Sequence, residues 1–182
     1  MARLPYLSRE DLPPEQRPTY ERIAQSRGRM ARTFSVLLSS PEAASQVADL
    51  GEYLRFQSSL DPTIRETATL TTAREANNQY IWSHHEPRAR QAGVREKVIQ
   101  AIRDRQSPQR LLPKEGVLIR YAQEMLRNGR VNDATYQAVL HLLGPQGVTD
   151  LTVIIGYYHM LAHINTALEV ELEPEWPPLL PE

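Results

Sequence analysis

Residues 62–93, PTIRETATLTTAREANNQYIWSHHEPRARQAG, hold the groups best suited to chemistry. Glu66 sits in a run of apolar and threonine residues. His84 and His85 follow Tyr80, Ile81 and Trp82. A carboxylate and an imidazole are the usual pair for general acid–base work, because the ordinary imidazole pKa lies near neutrality and a nearby carboxylate shifts it. His85 stands one helical turn from Ile81 and Trp82 and two from Asn78, so these side chains share a helical face. Asn78, Ile81 and Trp82 are therefore read as substrate contacts around His85. Arg74, Arg88 and Tyr157 are the candidates for holding a carboxylate or stabilising charge on oxygen.

Two helices must position these groups. Asp61 and Pro62 form a helix start, with the Asp as N-cap and the Pro at the first position. Asn77-Asn78 interrupts the pattern, and a second helix runs toward Gly93. Glu66 is about three turns before the break and His85 about two turns after it, so an αα-hairpin brings them to similar height. The spacing predicts direct contact, or contact through one water, beside a cavity walled by Trp82 and Tyr157. Pro87 falls inside the second helix, where it removes a backbone bond and bends the chain next to His85.

The flanking chain also reads as helical. Helices are expected from Pro14 to Arg27, from Ser40 to about Gln57, from Val94 to Arg105, from Pro113 to Asn128, from Asp133 to Leu143, and from Val148 to Val170, with a short apolar turn or helix over 33–39. Gly28, Gly129 and Gly144-Pro145 are stop signals. No alternating strand pattern appears, so the fold class is all-α. Residues 1–34 are read as an N-terminal arm and helix, 35–175 as one helical domain, and 176–182 as a proline-rich tail.

Composition excludes several classes. The chain has 182 residues, 41% hydrophobic and 24% charged, with a net charge of −1. No overall field draws it to nucleic acid or an acidic membrane. The one basic cluster, Arg27, Arg29 and Arg32, is read as a solvated helix end. No signal-peptide core is evident, and no run is read as reaching the roughly 20 apolar residues that span a bilayer; a cytoplasmic protein is expected. With no cysteine, thiol chemistry and disulfides are excluded. His159 and His163 have the i, i+4 spacing of metal ligands, but no acidic residue lies between them and no metal is expected. His84, about 100° around the helix from His85, is read as a surface or supporting group.

The block RETATL…NNQYIWSHHEPRARQAGV, followed by RYAQEML at 120–126 and LTVIIGYYHMLAHINTALEVELEP at 151–174, resembles the carboxymuconolactone decarboxylase and alkylhydroperoxidase-D-like superfamily over roughly residues 35–175. The resemblance implies a helical bundle with a central helical hairpin. In the peroxidase branch a Cys-x-x-Cys pair works with a histidine and an upstream glutamate. On this chain the cysteine positions fall on Asn78 and Ile81, the histidine on His85 and the glutamate on Glu66. The thiols are gone and the proton-transfer pair remains, so no dithiol peroxidase activity is expected. The decarboxylase branch needs no thiol and no cofactor. The resemblance thus implies a cofactor-free acid–base enzyme acting on a small organic acid or lactone. Lactone hydrolysis or ring opening, and a non-catalytic binding protein of the same fold, stay open. A homo-oligomer is expected, with the Trp176-containing tail reaching over a neighbour.

Overall fold

The computed structural model describes residues 2–181, so residues 1 and 182, the ends of the arm and tail, lie outside it. Among the described residues there are eight α-helices and no strands: α1 (Arg17–Arg27), α2 (Arg32–Leu37), α3 (Pro41–Phe56), α4 (Pro62–Glu75), α5 (Gln79–Gln91), α6 (Glu96–Arg103), α7 (Pro113–Asn128) and α8 (Asp133–Ala167).

Helix α4 is the centre of the fold and packs against α5, α6, α7 and α8. Every residue from Glu66 to Ala73 is buried. A helix enclosed on all sides must satisfy its polar groups internally. Thr67, Thr69, Thr71 and Thr72 do so by donating their hydroxyls to the carbonyls of Thr63, Arg65, Thr67 and Ala68, one turn earlier. Asp61 caps α4 by accepting from the Thr63 amide. The turn to α5 follows the asparagine signal. Asn77 takes a left-handed φ of 49°, which Asn tolerates better than most residues. Asn78 then caps α5 by accepting from the Ile81 amide.

Two apolar clusters result. The larger joins α4–α8 around Leu70, Trp82, Ile99, Leu151, Ile154 and Ile155. The smaller ties the N-terminal arm, α1, α2 and the start of α3 together through Leu12, Ile23, Phe34, Leu38 and Ala48. Helix α8 is longer than expected, because the two helices predicted on either side of Gly144 run on as one bent element. Gly144 has φ 70° and ψ 176°, so the predicted break survives as a kink. By length and composition alone α8 is long and apolar enough to cross a membrane, with a mean hydropathy of 1.4 over an 18-residue window, whereas the sequence reading expects no such run; the core helix of a globular protein meets the same criterion. Within the fold its Leu151, Ile154, Ile155, Tyr157, Tyr158 and Leu161 are buried instead.

The tail packs against its own chain. Glu173 accepts from the Tyr80 hydroxyl and the Arg32 amide. The Trp176 ring meets Tyr80 at 5.4 Å and His84 at 4.6 Å, and the Leu179 amide donates to Ser83 Oγ.

Helix α3 approaches α8 closely at Gly51. A Cβ there would lie 2.2 Å from Tyr157 Oη and 2.9 Å from its Cζ. Gly51→Ala should therefore destabilise the protein by about 1–3 kcal/mol, the usual range for overpacking, seen as a lower denaturant midpoint. An unchanged midpoint would show that the α3–α8 contact is loose.

Candidate active site

Glu66 projects from the first half of α4 and His85 from the second half of α5. Their side chains meet as the hairpin geometry predicts, with His85 Nδ1 2.8 Å from Glu66 Oε2. Both residues are 6% exposed. The Arg65 guanidinium approaches Glu66 from the other side at 3.7 Å.

Burial pushes the Glu66 carboxyl up, but His85, Arg65 and Arg88 together outweigh it and hold the group below the ordinary carboxylate range. For His85 burial is the largest influence and lowers the pKa; Glu66 opposes it, and Arg88 and Arg55 reinforce it. The direction we adopt is an ionised Glu66 beside a neutral imidazole. Nδ1–H then donates to the carboxylate, which leaves the Nε2 lone pair free, and Nε2 has no hydrogen-bond partner among the described residues. This is the arrangement of a base oriented by a carboxylate.

The dyad borders a cavity between the N-terminal helices and the α5–α8 layer, with about 80 Å³ of room for water-sized occupants. That is space for several waters or a small organic molecule. Ile81, His84, His85 and Arg88 line it from α5, and Tyr157, Tyr158 and Leu161 from α8. Arg27, Arg29, Phe34 and Arg55 close it from the N-terminal side.

The predicted site residues divide into two groups. Glu66, Ile81, His85, Arg88 and Tyr157 gather at the dyad or the cavity. Asn78, Trp82 and Arg74 do not line it. Asn78 is spent on structure, capping α5 and donating from Nδ2 to the Ala162 carbonyl. Trp82 is fully buried in the larger apolar cluster. The cavity face of α5 runs through positions 81, 84, 85 and 88, and at about 100° per residue Trp82 is rotated from Ile81 into the core. Arg74 lies near the end of α4 remote from Glu66 and donates to the Arg103 carbonyl and Asn77 Oδ1.

Sequence reasoning missed five groups. Arg27 and Arg29 were assigned to a solvated helix end, but both line the cavity. Arg27 stacks over Phe34 at 4.1 Å and donates to the Ala48 carbonyl. Arg55 and Tyr158 carried no sequence signal. His84 is likewise part of the wall rather than a surface group, its ring 5.0 Å from that of His85. His159 and His163 pair with each other on α8 at 4.4 Å, and among the described residues no three candidate ligands converge as a metal site.

Among the described residues Arg27, Arg55 and Arg88 have no carboxylate within ion-pair distance. Arg29 does, pairing with Glu175 of the tail. The cavity lining thus includes four arginines and no carboxylate, with Glu66 behind His85 and Glu173 behind Tyr80. Unpaired, partly enclosed guanidiniums are well suited to anions.

Residues 41–124 match the carboxymuconolactone decarboxylase family. The likeness to that family covers just under half of the chain. The matched segment contains both members of the dyad; the α8 block that also carried the resemblance lies beyond it. Solved structures extend the likeness in fold across the whole length. An uncharacterised peroxidase-related protein from Silicibacter sp. TM1040 has a TM-score of 0.76 at 16% identity, covering 95% of this chain and 91% of the other. The debrominase Bmp8, solved alone and with 2,3,4-tribromopyrrole, has a TM-score of 0.70 at 15% identity, with coverages of 92% and 90%. No curated protein sequence matches the chain. At these identities the structural likeness establishes the alkylhydroperoxidase-D-like fold, not an activity.

Burial lowers the pKa of both His84 and His85, so the folded state binds these protons more weakly than the unfolded chain. The stabilisation from keeping the rings neutral is complete above the unfolded value of about 6.5 and is lost as pH falls below it. The melting temperature should drop between about pH 7 and pH 5, and His84→Gln should make the drop smaller. A profile that is flat over this window, or the same in the variant, would contradict neutral buried rings.

Proposed function

We propose that the protein is an acid–base enzyme of the carboxymuconolactone decarboxylase family that binds a small organic acid or lactone and moves a proton at carbon, with decarboxylation as the favoured outcome. The observation that carries the reading is the 2.8 Å Glu66–His85 contact at the wall of an arginine-rimmed cavity. No thiol, metal or cofactor is assigned a part in it.

The substrate carboxylate is held by Arg27, Arg55 and Arg88, none of which has a competing carboxylate among the described residues. An anion in this position offsets the cations that disfavour the His85 imidazolium, so substrate binding raises the proton affinity of Nε2. In the empty site His85 is a base; with the anion bound it can carry a proton. Decarboxylation breaks the bond between carbon and the carboxylate, releases carbon dioxide and leaves the electron pair on a carbon conjugated with a carbonyl. The His85 imidazolium donates its proton to that carbon, and solvent returns one to Nε2. Glu66 holds the ring through Nδ1 and stabilises its charged form throughout.

A neutral resting His85 also suits activation of water for lactone ring opening, which is the second reading. The two are separated by their products. Small β-keto acids, unsaturated acids and carboxylated lactones incubated in deuterium oxide and followed by NMR would show carbon-bound deuterium with carbon dioxide release in the first case. Ring-opened hydroxy acid would appear in the second. His85→Ala should lower either rate by about 100- to 10,000-fold, the usual contribution of general acid–base catalysis. Glu66→Gln should lower it less and move its pH dependence. Turnover that survives His85→Ala would remove the dyad from the chemistry.

A further inference from the structure

Both steps open to the dyad, removal of a proton next to a carbonyl and loss of carbon dioxide from a β-keto or unsaturated acid, pass through the same kind of intermediate. Negative charge collects on an oxygen one or two bonds from the reacting carbon. The arginines and His85 leave that oxygen without a neutral hydrogen-bond donor. Such a donor, fixed in place before the charge develops, is commonly among the largest contributions to catalysis.

Tyr158 has the required position. It lies on α8, packs its ring against His85 at 4.7 Å and 78°, and lines the cavity. Its hydroxyl has no hydrogen-bond partner among the described residues. Buried tyrosine hydroxyls usually find one. Neither is this hydroxyl sealed in the core. Among the described residues the fully enclosed unpaired side-chain atoms are Arg65 Nε, Trp82 Nε1 and Asn165 Nδ2. Tyr158 is 5% exposed and lines the cavity. The neighbouring Tyr157 cannot serve in the same way, because its hydroxyl already donates to the Val47 carbonyl at 3.1 Å and it abuts Gly51.

We infer that the Tyr158 hydroxyl is the hydrogen-bond donor to the substrate oxygen on which enolate charge develops, which restricts substrates to acids carrying a carbonyl or equivalent oxygen within reach of His85. The inference rests on the acid–base reading of the site. When His85 takes a proton from carbon, the C–H electron pair forms a carbon–carbon double bond and the carbonyl π pair moves to oxygen. When carbon dioxide leaves, the pair of the broken bond takes the same path. In both cases Tyr158 O–H donates to the oxygen and keeps its proton. Burial raises the phenol pKa and so keeps the group a neutral donor.

The test uses 4-hydroxy-3-nitrobenzoate and 3-hydroxy-4-nitrobenzoate. Each carries a carboxylate for the arginines and a phenol oxygen whose ionised form mimics an enolate and absorbs visible light. The protein should bind at least one of them and raise its phenolate fraction at a fixed, mildly acidic pH. Tyr158→Phe keeps the ring against His85; it should bind the probe within about threefold of the parent yet lose about tenfold in the phenolate-to-phenol ratio, one pH unit in the apparent pKa of the bound probe. Binding of 4-nitrobenzoate, which has no phenol, should be the same in both proteins. An unchanged phenolate ratio in Tyr158→Phe overturns the role of Tyr158 while leaving the anion site standing. Failure of the parent protein to bind any of the three benzoates at millimolar concentration overturns the anion site, and this inference with it. Should Tyr158→Phe fold poorly, 3-fluorotyrosine placed at 158 gives the opposite arm. The more acidic phenol should increase the phenolate ratio, and no change would overturn the inference.

Discussion

The contact on which the rest of the structure depends is the hydrogen bond between Glu66 and His85 across the α4–α5 hairpin. An ionised carboxylate that is 6% exposed is unfavourable unless it is hydrogen-bonded and near positive charge. The imidazole supplies the bond, and Arg65 and Arg88 supply the field. The same bond fixes the ring tautomer and leaves Nε2 free at the cavity. The arrangement requires α4 to be enclosed on every side, which four threonines make possible by returning their hydroxyls to the helix backbone. It also requires an α4–α5 turn short enough to keep the two side chains level, which Asn77 and Asn78 provide.

The hairpin alone makes a base, not a binding site. The cavity arises where the N-terminal layer is laid over α5 and α8, and that layer contributes Arg27, Arg29 and Arg55. Their charges act in two directions. Arg55, with Arg88 of α5, adds to burial in disfavouring the His85 imidazolium, and in the proposed reaction the arginines bind an anion whose charge offsets that bias. The tail completes the wall from outside, with Trp176 edge-on to His84 and under the Arg29 guanidinium at 4.9 Å. A chain with a net charge of −1 thus concentrates positive charge at one internal surface.

Local signals in the sequence located the helices well. Asp61-Pro62, Asn78, Gly28 and Gly129 each mark a helix end at the expected place. Hairpin arithmetic brought Glu66 and His85 together, because both distances are measured from one short turn. What failed was rotation and long-range packing. Trp82 was put on the His85 face, but α5 is buried on more than one side, and a 100° step separates its cavity face from its core face. Choosing between Tyr157 and Tyr158 has the same difficulty, and here both reach the wall. Arg74 is by type a candidate for binding a carboxylate, but it lies near the end of α4 remote from Glu66. Arg27, Arg29 and Arg55 could not be assigned, since no periodicity within α1 or α3 reports what another layer will cover. The prolines of the tail exclude helix, but nothing local reveals that Glu173 and Leu179 tie it to the α5 region of its own chain.

The central claim is that His85, kept neutral by burial and the nearby arginines against the opposing pull of Glu66, carries its proton on Nδ1 toward the carboxylate and leaves its Nε2 lone pair open to the cavity. Long-range ¹H–¹⁵N correlation spectra of the imidazole side chains measure this directly, with His85 assigned by comparison with His85→Ala. Near neutral pH the account predicts a neutral His85 ring, a protonated Nδ1 and an unprotonated Nε2, and it predicts that the ring titrates below the ordinary histidine value of about 6.5. A His85 ring carrying its proton on Nε2, or fully protonated at neutral pH in the empty protein, would contradict it.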